Sequence, residues 1–388
     1  MGADESMIDQ AVISEVNAKL GGAGGAEVSV SRKDTGFEVV LSLAGFTASR
    51  VMNFNIQEKD TLTVATFNVY GWGYPNMATF SNMLNQEGVD VAGLQECNHN
   101  VNGGGQDEQF VKAGDYPYYA FKAGYGSTTQ WGGSTLVSKY PLENKGGQVY
   151  ETNDDTYRSF VRSEINVGGK KVALYNTHII WLTDPDEYAA AKQAQYNELI
   201  QAVEEDTTTY KIIMGDFNSD TSTTELDNLL LHFNDANGWN NNWLETHPVN
   251  PDDQVYVGCI DQIFATTNIE IVSARTIEGN PSDHDPLIAE FRLLDSEPTL
   301  PGQLVDNALS DARKALEQAE NLPADEVASL QSLIAEVENT ELTEDNRLPL
   351  VKRLRQAIAN LGNPLYSSVI DDTSSYIVYS EGGANDGG

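Results

Sequence analysis

Between residues 61 and 293 the chain runs through short apolar stretches, many of them β-branched, separated by Gly, Pro, Asn and Asp. This pattern predicts strands at 62–68, 89–95, 134–138, 160–166, 171–176, 211–215, 262–265 and 287–293. Several are continuous apolar runs, as in strands buried on both faces. Helical periodicity marks about 77–86 and 186–204. Strands alternating with helices and loops predict an α/β domain of layered sheets with helices outside, over 61–295.

The flanks follow other rules. Ile8, Val12, Val16 and Leu20 repeat at helical spacing until Gly21–Gly25 break the pattern. Strand character follows at 27–31, 37–43 and 51–56, with Asp34-Thr35-Gly36 as a turn. A small helix-plus-hairpin module is expected over 1–60, an α+β unit preceding the main domain. Beyond it, Glu297-Pro298-Thr299-Leu300-Pro301-Gly302 reads as a linker. Three apolar faces come next: Val305/Ala308/Ala312/Ala315/Ala319, Val327/Leu330/Ile334/Val337 and Val351/Leu354/Ile358/Leu361. Gly362 and Pro364 stop the last. Helices this short are marginal alone, so a packed three-helix unit is expected over 303–363, with an acidic, Gly-rich tail over 364–388.

Composition narrows the partners. Lys and Arg number 23 against 58 Asp and Glu, a formal charge of −35. Such a chain repels anionic surfaces and attracts divalent cations. Passive coating of nucleic acid is disfavoured, because phosphate neutralisation supplies most non-specific affinity. A nuclease is barely disfavoured, since a catalytic metal captures one phosphate locally. Cys97 and Cys259 are the only cysteines, which excludes a disulfide framework and leaves one bridge or, more simply, two free thiols. No run of about 18 apolar residues exists, so no membrane span is expected.

The candidate chemistry sits at strand ends. Asn68, Glu96, His178, Asp216 with Asn218, and Ser282-Asp283-His284 each adjoin an apolar run. Singly, each has a bland alternative: a turn residue, a solvated loop acid, a satisfied core histidine. Together they supply oxygen ligands for a hard divalent cation and imidazoles to move protons, the set a hydrolytic site needs.

The ordered set Asn68, Gln95-Glu96, Asn176-Thr177-His178, Gly215-Asp216-Phe217-Asn218, Ile260-Asp261 and Ser282-Asp283-His284 resembles the motifs of the endonuclease/exonuclease/phosphatase superfamily, the DNase I-like fold. The resemblance implies a four-layer sandwich, two packed mixed β-sheets flanked by helices. It implies Glu96 as principal ligand of Mg²⁺, with Mn²⁺ or Ca²⁺ as alternatives and Asn68 and Asp283 nearby. His284 would accept or orient the proton of the attacking water, held by Asp261. His178 would stabilise the phosphoryl oxygens or protonate the leaving oxygen, Asp216 and Asn218 would position water and phosphate, and Arg162 and Asn176 would contact substrate. Gln262 departs from the aromatic or Arg usual after Asp261. The polar loop 98–109 and Trp72, Tyr74, Tyr125, Trp131 and Trp181 flank the motifs, as substrate contacts or as ordinary packing.

A metal-dependent phosphodiesterase is therefore expected, foremost a DNase I-like nuclease acting on nucleic acid. A phosphatase or sphingomyelinase-type esterase of the same fold is the alternative. The flanking modules suggest a further class, a structural component of a surface or phage assembly, and with it a secreted, cell-surface or virion-associated setting rather than the cytoplasm. The helical segment, through its Ala/Leu spacing and Gln356-Ala357-Ile358 before Asn360-Leu361, resembles FIVAR modules of bacterial surface proteins.

Overall fold

A computed structural model describes residues 26–33, 36–43, 46–52, 61–70, 76–99, 105–114, 116–124, 133–151, 158–180, 185–219, 224–247, 258–317 and 323–361. The expected helix at 5–20, the tail after 361, and Trp72, Tyr74, Tyr125, Trp131 and Trp181 lie outside them.

The chain divides into two compact units. In the first, β1 (Ala26–Lys33), β2 (Gly36–Leu43) and β3 (Phe46–Met52) form an antiparallel meander. The third expected strand starts five residues earlier than the sequence pattern of 51–56 suggests.

The second unit holds two six-stranded mixed sheets. Its first strands are β4 (Thr61–Asn68), β5 (Val91–Gln95), β6 (Tyr118–Lys122) and β7 (Ser134–Ser138). Then come β8 (Glu143–Val149), β9 (Ser159–Val167), β10 (Lys170–His178), β11 (Tyr210–Asp216), β12 (Asn234–Asp235) and β13 (Asp261–Ala265). The last two are β14 (Ile269–Thr276) and β15 (Leu287–Leu293). One sheet runs β14-β15-β4-β5-β7-β6, the other β12-β13-β11-β10-β9-β8. Parallel pairing occurs between β4 and β5 and between β10 and β11. The chain adopts the DNase I-like architecture.

Helices cover the sheets. On the first, α1 (Met77–Gln86) and α2 (Gln106–Ala113) bury Met77, Phe80, Leu84 and Phe110 with Phe67, Leu94 and Val137. On the second, α3 (Pro185–Glu205) and α4 (Asp227–His232) place Tyr196, Leu199, Leu229 and Leu230 in one cluster with Ala173, Tyr175, Ile213 and Phe264. The same cluster continues through α5 (Gln303–Glu317), α6 (Ala324–Glu338) and α7 (Arg347–Asn360). The three C-terminal helices therefore share the apolar core of the second sheet.

Polar side chains tie the sheets together where they meet. Asn176 on β10 donates through Nδ2 to the Leu94 and Thr135 carbonyls, both at 2.9 Å, and its Oδ1 accepts from Gln95 Nε2 at 2.6 Å. Gly93 makes this approach possible, for a Cβ there would stand 2.5 Å from Asn176 Oδ1 and 2.6 Å from Met214 Cγ. Gly93→Ala is expected to cost about 1–3 kcal/mol as an overpacked site. Urea denaturation reads this as a lower midpoint with an unchanged slope.

Candidate active site

Strand register delivers the functional side chains to one edge of the sandwich. His178 lies opposite Asp216 across β10 and β11, and Asp216 lies opposite Asp261 across β11 and β13. In the other sheet Asn68 pairs with Gln95, which puts Glu96 one residue past the end of β5. His284 lies three residues before β15, the antiparallel neighbour of β4.

Asp216 is the centre of the cluster. Its Oδ2 accepts from Asn68 Nδ2 at 3.1 Å and stands 3.2 Å from His178 Nε2 and 3.8 Å from His284 Nε2. Asn68 Nδ2 also reaches Glu96 Oε1 at 3.3 Å. Behind His284, Asp261 Oδ2 lies 2.8 Å from Nδ1. Asp216, Asp261, His178 and His284 are all buried.

The turn after β11 is held from below. Asn218 adopts a left-handed φ of 48° and donates its amide to Asp216 Oδ1 at 2.9 Å, while its Nδ2 caps the Ile179 carbonyl at 2.9 Å. Lys192 Nζ donates to the Asn218 carbonyl at 2.7 Å and Tyr196 to that of Phe217 at 2.9 Å, both from α3. Gly215 serves this site by close approach, not by a sharp turn. It sits inside β11, where a Cβ would stand 2.4 Å from the Thr177 carbonyl oxygen.

Burial alone would raise Asp216, but His178, His284 and the Asn68 amide outweigh it and hold the carboxyl well below the usual range. Burial works against a charged His284 too, yet Asp261, Asp216 and Asp283 push its pKa up to about 10. Asp261 is itself raised, by burial first. The two shifts compete for one proton, and we assign it to His284, because that ring faces several carboxylates whereas Asp261 has a single imidazole. The carboxylates around His284 thus favour its charged form, and Asp261 holds the ring through Nδ1.

His178 differs. Its Nδ1 lies 2.7 Å from Arg158 Nη1. A guanidinium only donates, so Nδ1 must be the acceptor and Nε2 must carry the proton directed at Asp216. Nε2 of His178 is thereby the ring nitrogen that donates to Asp216.

Three residues do not join the cluster. Arg162 points to the opposite face of its sheet, with Nη2 2.6 Å from both Asp206 and Glu164 and Asp206 also accepting from Tyr175. Tyr175 and His178 lie at positions of opposite parity on β10, so they face opposite ways. Asn176 is fully buried and spends its carboxamide on the tie between sheets. Asp283 is exposed, and its Oδ1 accepts from Ser282 at 3.4 Å. In place of Arg162 the structure brings Arg158, whose pKa burial lowers against the opposing pull of Asp216 and Glu96. The signal for it was available: Arg158 immediately precedes β9, at a strand end like the other site residues, whereas Arg162 lies inside the strand.

The donor set fits a hard divalent cation. Glu96 and Asp216 direct carboxylate oxygens at the same Asn68 nitrogen, so a cation there meets two oxygen ligands from opposite sheets. Asn68 would ligate only after its amide flips, since an amide nitrogen donates. Glu96 is held at φ 55°, a left-handed backbone that disfavours any residue with a Cβ. Asp216, Asp261 and His284 also offer ligand atoms within 4.8 Å of one another, but the Asp261–His284 contact commits two of them to a proton-sharing pair. Cys97 and Cys259 are free thiols, Cys97 buried and Cys259 partly so. Loop 98–109 is in part helical, because α2 begins at Gln106. Among the described residues no helix is long and apolar enough to cross a membrane.

Solved structures are similar to the chain at low identity. A humanized D. rerio TDP2 with 14 mutations is 16% identical, with a TM-score of 0.49 over 60% of this chain and 100% of its own. An endonuclease/exonuclease/phosphatase from Beutenbergia cavernae DSM 12333 is 18% identical, with a TM-score of 0.49 over 60% of this chain and 72% of its own. D. rerio TDP2 complexed with single strand DNA product is 17% identical, with a TM-score of 0.49 over 60% and 99%. No curated protein matches the chain. The model of the Endonuclease/Exonuclease/phosphatase family, generally hydrolytic phosphoesterases, matches residues 65–284, from within β4 to His284. That span is more than half of the 388 residues and contains every side chain that converges on Asp216, so the chain belongs to the Endonuclease/Exonuclease/phosphatase family.

Proposed function

We propose that the protein is a divalent-metal-dependent phosphodiesterase, a nuclease of the DNase I type. One observation carries this reading. Asp216 lies within 3.2 Å of His178 Nε2 and 3.8 Å of His284 Nε2, and one Asn68 nitrogen links it to Glu96. Carboxylates for a cation and imidazoles for a phosphoryl group thus share one buried edge.

Glu96 and Asp216 would hold the cation, and Asn68 would join them through its oxygen. Mg²⁺ suits this sparse set, and Mn²⁺ or Ca²⁺ has the same preference for oxygen. When bound, the cation supplies charge neutralisation at the phosphoryl oxygens. The side chains do the rest. Arg158 and the Nε2–H of His178 bind the phosphoryl oxygens, where negative charge grows in the transition state. The attacking water forms its bond to phosphorus as the opposite P–O bond breaks. The water proton passes to Asp216, a weak base that gains strength relative to water as that O–P bond forms, and the proton on His284 Nε2 passes to the leaving oxygen. Asp261 holds the His284 ring and stabilises its charged form. Asn218 keeps the Asp216 carboxylate in place through its backbone amide.

The test compares nicking of supercoiled plasmid in Mg²⁺ and in EDTA with release of phosphate from a phosphomonoester and of phosphocholine from sphingomyelin. Nicking in Mg²⁺ that EDTA abolishes is the expected result. Intact DNA together with hydrolysis of either other substrate would transfer the assignment to a phosphatase or a sphingomyelinase-type esterase.

A further inference from the structure

Two residues beyond Asn68 the structure holds a side chain that the fold does not need. Tyr70 is 41% exposed, and among the described residues only Val272 and Leu300 are large hydrophobic side chains as open as this. Its backbone is left-handed at φ 44°, an outlier for a bulky residue. Val69 between them is fully buried and donates its amide to the Gln95 carbonyl at 3.1 Å, so the chain is anchored up to this point and then turns the ring outward. Tyr70 donates its own amide to Asn68 Oδ1 at 3.1 Å. While its Nδ2 faces Glu96 and Asp216, the Asn68 carboxamide therefore also fixes the backbone of Tyr70. Two residues of chain span at most about 7 Å, so the Tyr70 backbone stays within that reach of Asn68.

Strain and exposure together, at a functional site, call for a compensating role. We propose that Tyr70 is a stacking platform for a nucleobase next to the scissile phosphate, an inference that rests on the phosphodiesterase reading. The charge balance supports it. A chain of net charge −35 gains little from long-range attraction to a polyanion. Stacking on a planar base carries no electrostatic penalty and tolerates any base, because each presents a π-face. The substrate class that follows is single-stranded or locally unpaired nucleic acid, whose bases are open to an aromatic ring.

The test is fluorescence anisotropy in EDTA with a labelled oligothymidylate and an abasic chain of the same length, so that binding is read apart from cleavage. Wild-type protein should favour the base-bearing strand by roughly 5- to 100-fold, the usual worth of one stacked base. Tyr70→Phe should keep the preference. Tyr70→Ala should abolish it by weakening only the base-bearing strand. Tyr70→Gly should do the same with a melting temperature equal to or above wild type, since it removes the Cβ that opposes a left-handed φ; a purely structural tyrosine would lower it. Equal wild-type affinity for the two strands, or an equal loss on both in Tyr70→Ala, overturns the proposal. Base preference without Mg²⁺-dependent cleavage would instead remove the catalytic reading and leave the platform standing.

Discussion

Glu96→Ala and His284→Ala are each expected to lower the proposed Mg²⁺-dependent cleavage of plasmid by at least ~10²-fold, with the loss in kcat. The two fail for different reasons, and stability separates them. Glu96 sits at a left-handed φ of 55°, a conformation that costs about 1–2 kcal/mol for a residue with a Cβ. Alanine keeps that cost and removes only the carboxylate, so its melting temperature stays near that of wild type. His284→Ala takes away the 2.8 Å partner of a buried Asp261 and leaves its carboxyl uncompensated, so this variant also melts earlier. Single-turnover rates at a temperature where both are folded keep the effects apart. A Glu96→Ala enzyme within threefold of wild type would show that no cation acts between Glu96 and Asp216.

The sandwich was legible where strands are buried on both faces. The limits of β4, β11 and β15 in the structure agree with the sequence to within a residue. The edge strands were not legible. Strand β8, Glu143–Val149, is largely exposed and contains two glycines, and β14 alternates buried and exposed positions around a bulge. Edge strands owe their form to one neighbour, so their composition carries little strand signal. The site was legible through strand ends: Asn68, Glu96, His178, Asp216, Asp261 and His284 do converge. Arg162, Asn176 and Asp283 do not, and each shows what a linear reading omits. Arg162 has the right chemistry on the wrong face. Asn176 lies on the same face of β10 as His178 but two residues back along the strand, where that face is covered by the other sheet. Asp283 adjoins His284 in a loop, where neighbours need not share a direction.

Ending the chain at residue 302 is expected to abolish cooperative folding of the second unit, or to lower its melting temperature by more than 10 °C, a loss that exceeds ~2 kcal/mol in a domain of this size. The helices α5–α7 bring Leu304, Val305, Leu309, Leu330, Leu350, Val351 and Leu354 into the cluster that holds Leu229, Leu230 and Phe233. Each such side chain contributes about 1.5–3 kcal/mol when buried, so uncovering a few of them consumes most of a total of ~5–15 kcal/mol. Polar contacts fix the docking. Arg347 is buried and donates through Nη1 to the Leu231 carbonyl at 2.7 Å and the Pro301 carbonyl at 2.9 Å, and Arg355 pairs with Asp227. Gln303 accepts from the Asp235 amide at 2.6 Å and donates to its carbonyl at 3.0 Å, which clamps β12 at the edge of the sheet. The next strand, β13, begins with Asp261, so the C-terminal helices stiffen the edge that positions the proton-handling pair. Arg347→Ala in the full chain tests the same coupling with less disruption, since it strips two buried carbonyls of their donor at about 1–3 kcal/mol. A 1–302 chain that unfolds cooperatively within a few degrees of the full protein would make the helices an independent appendage.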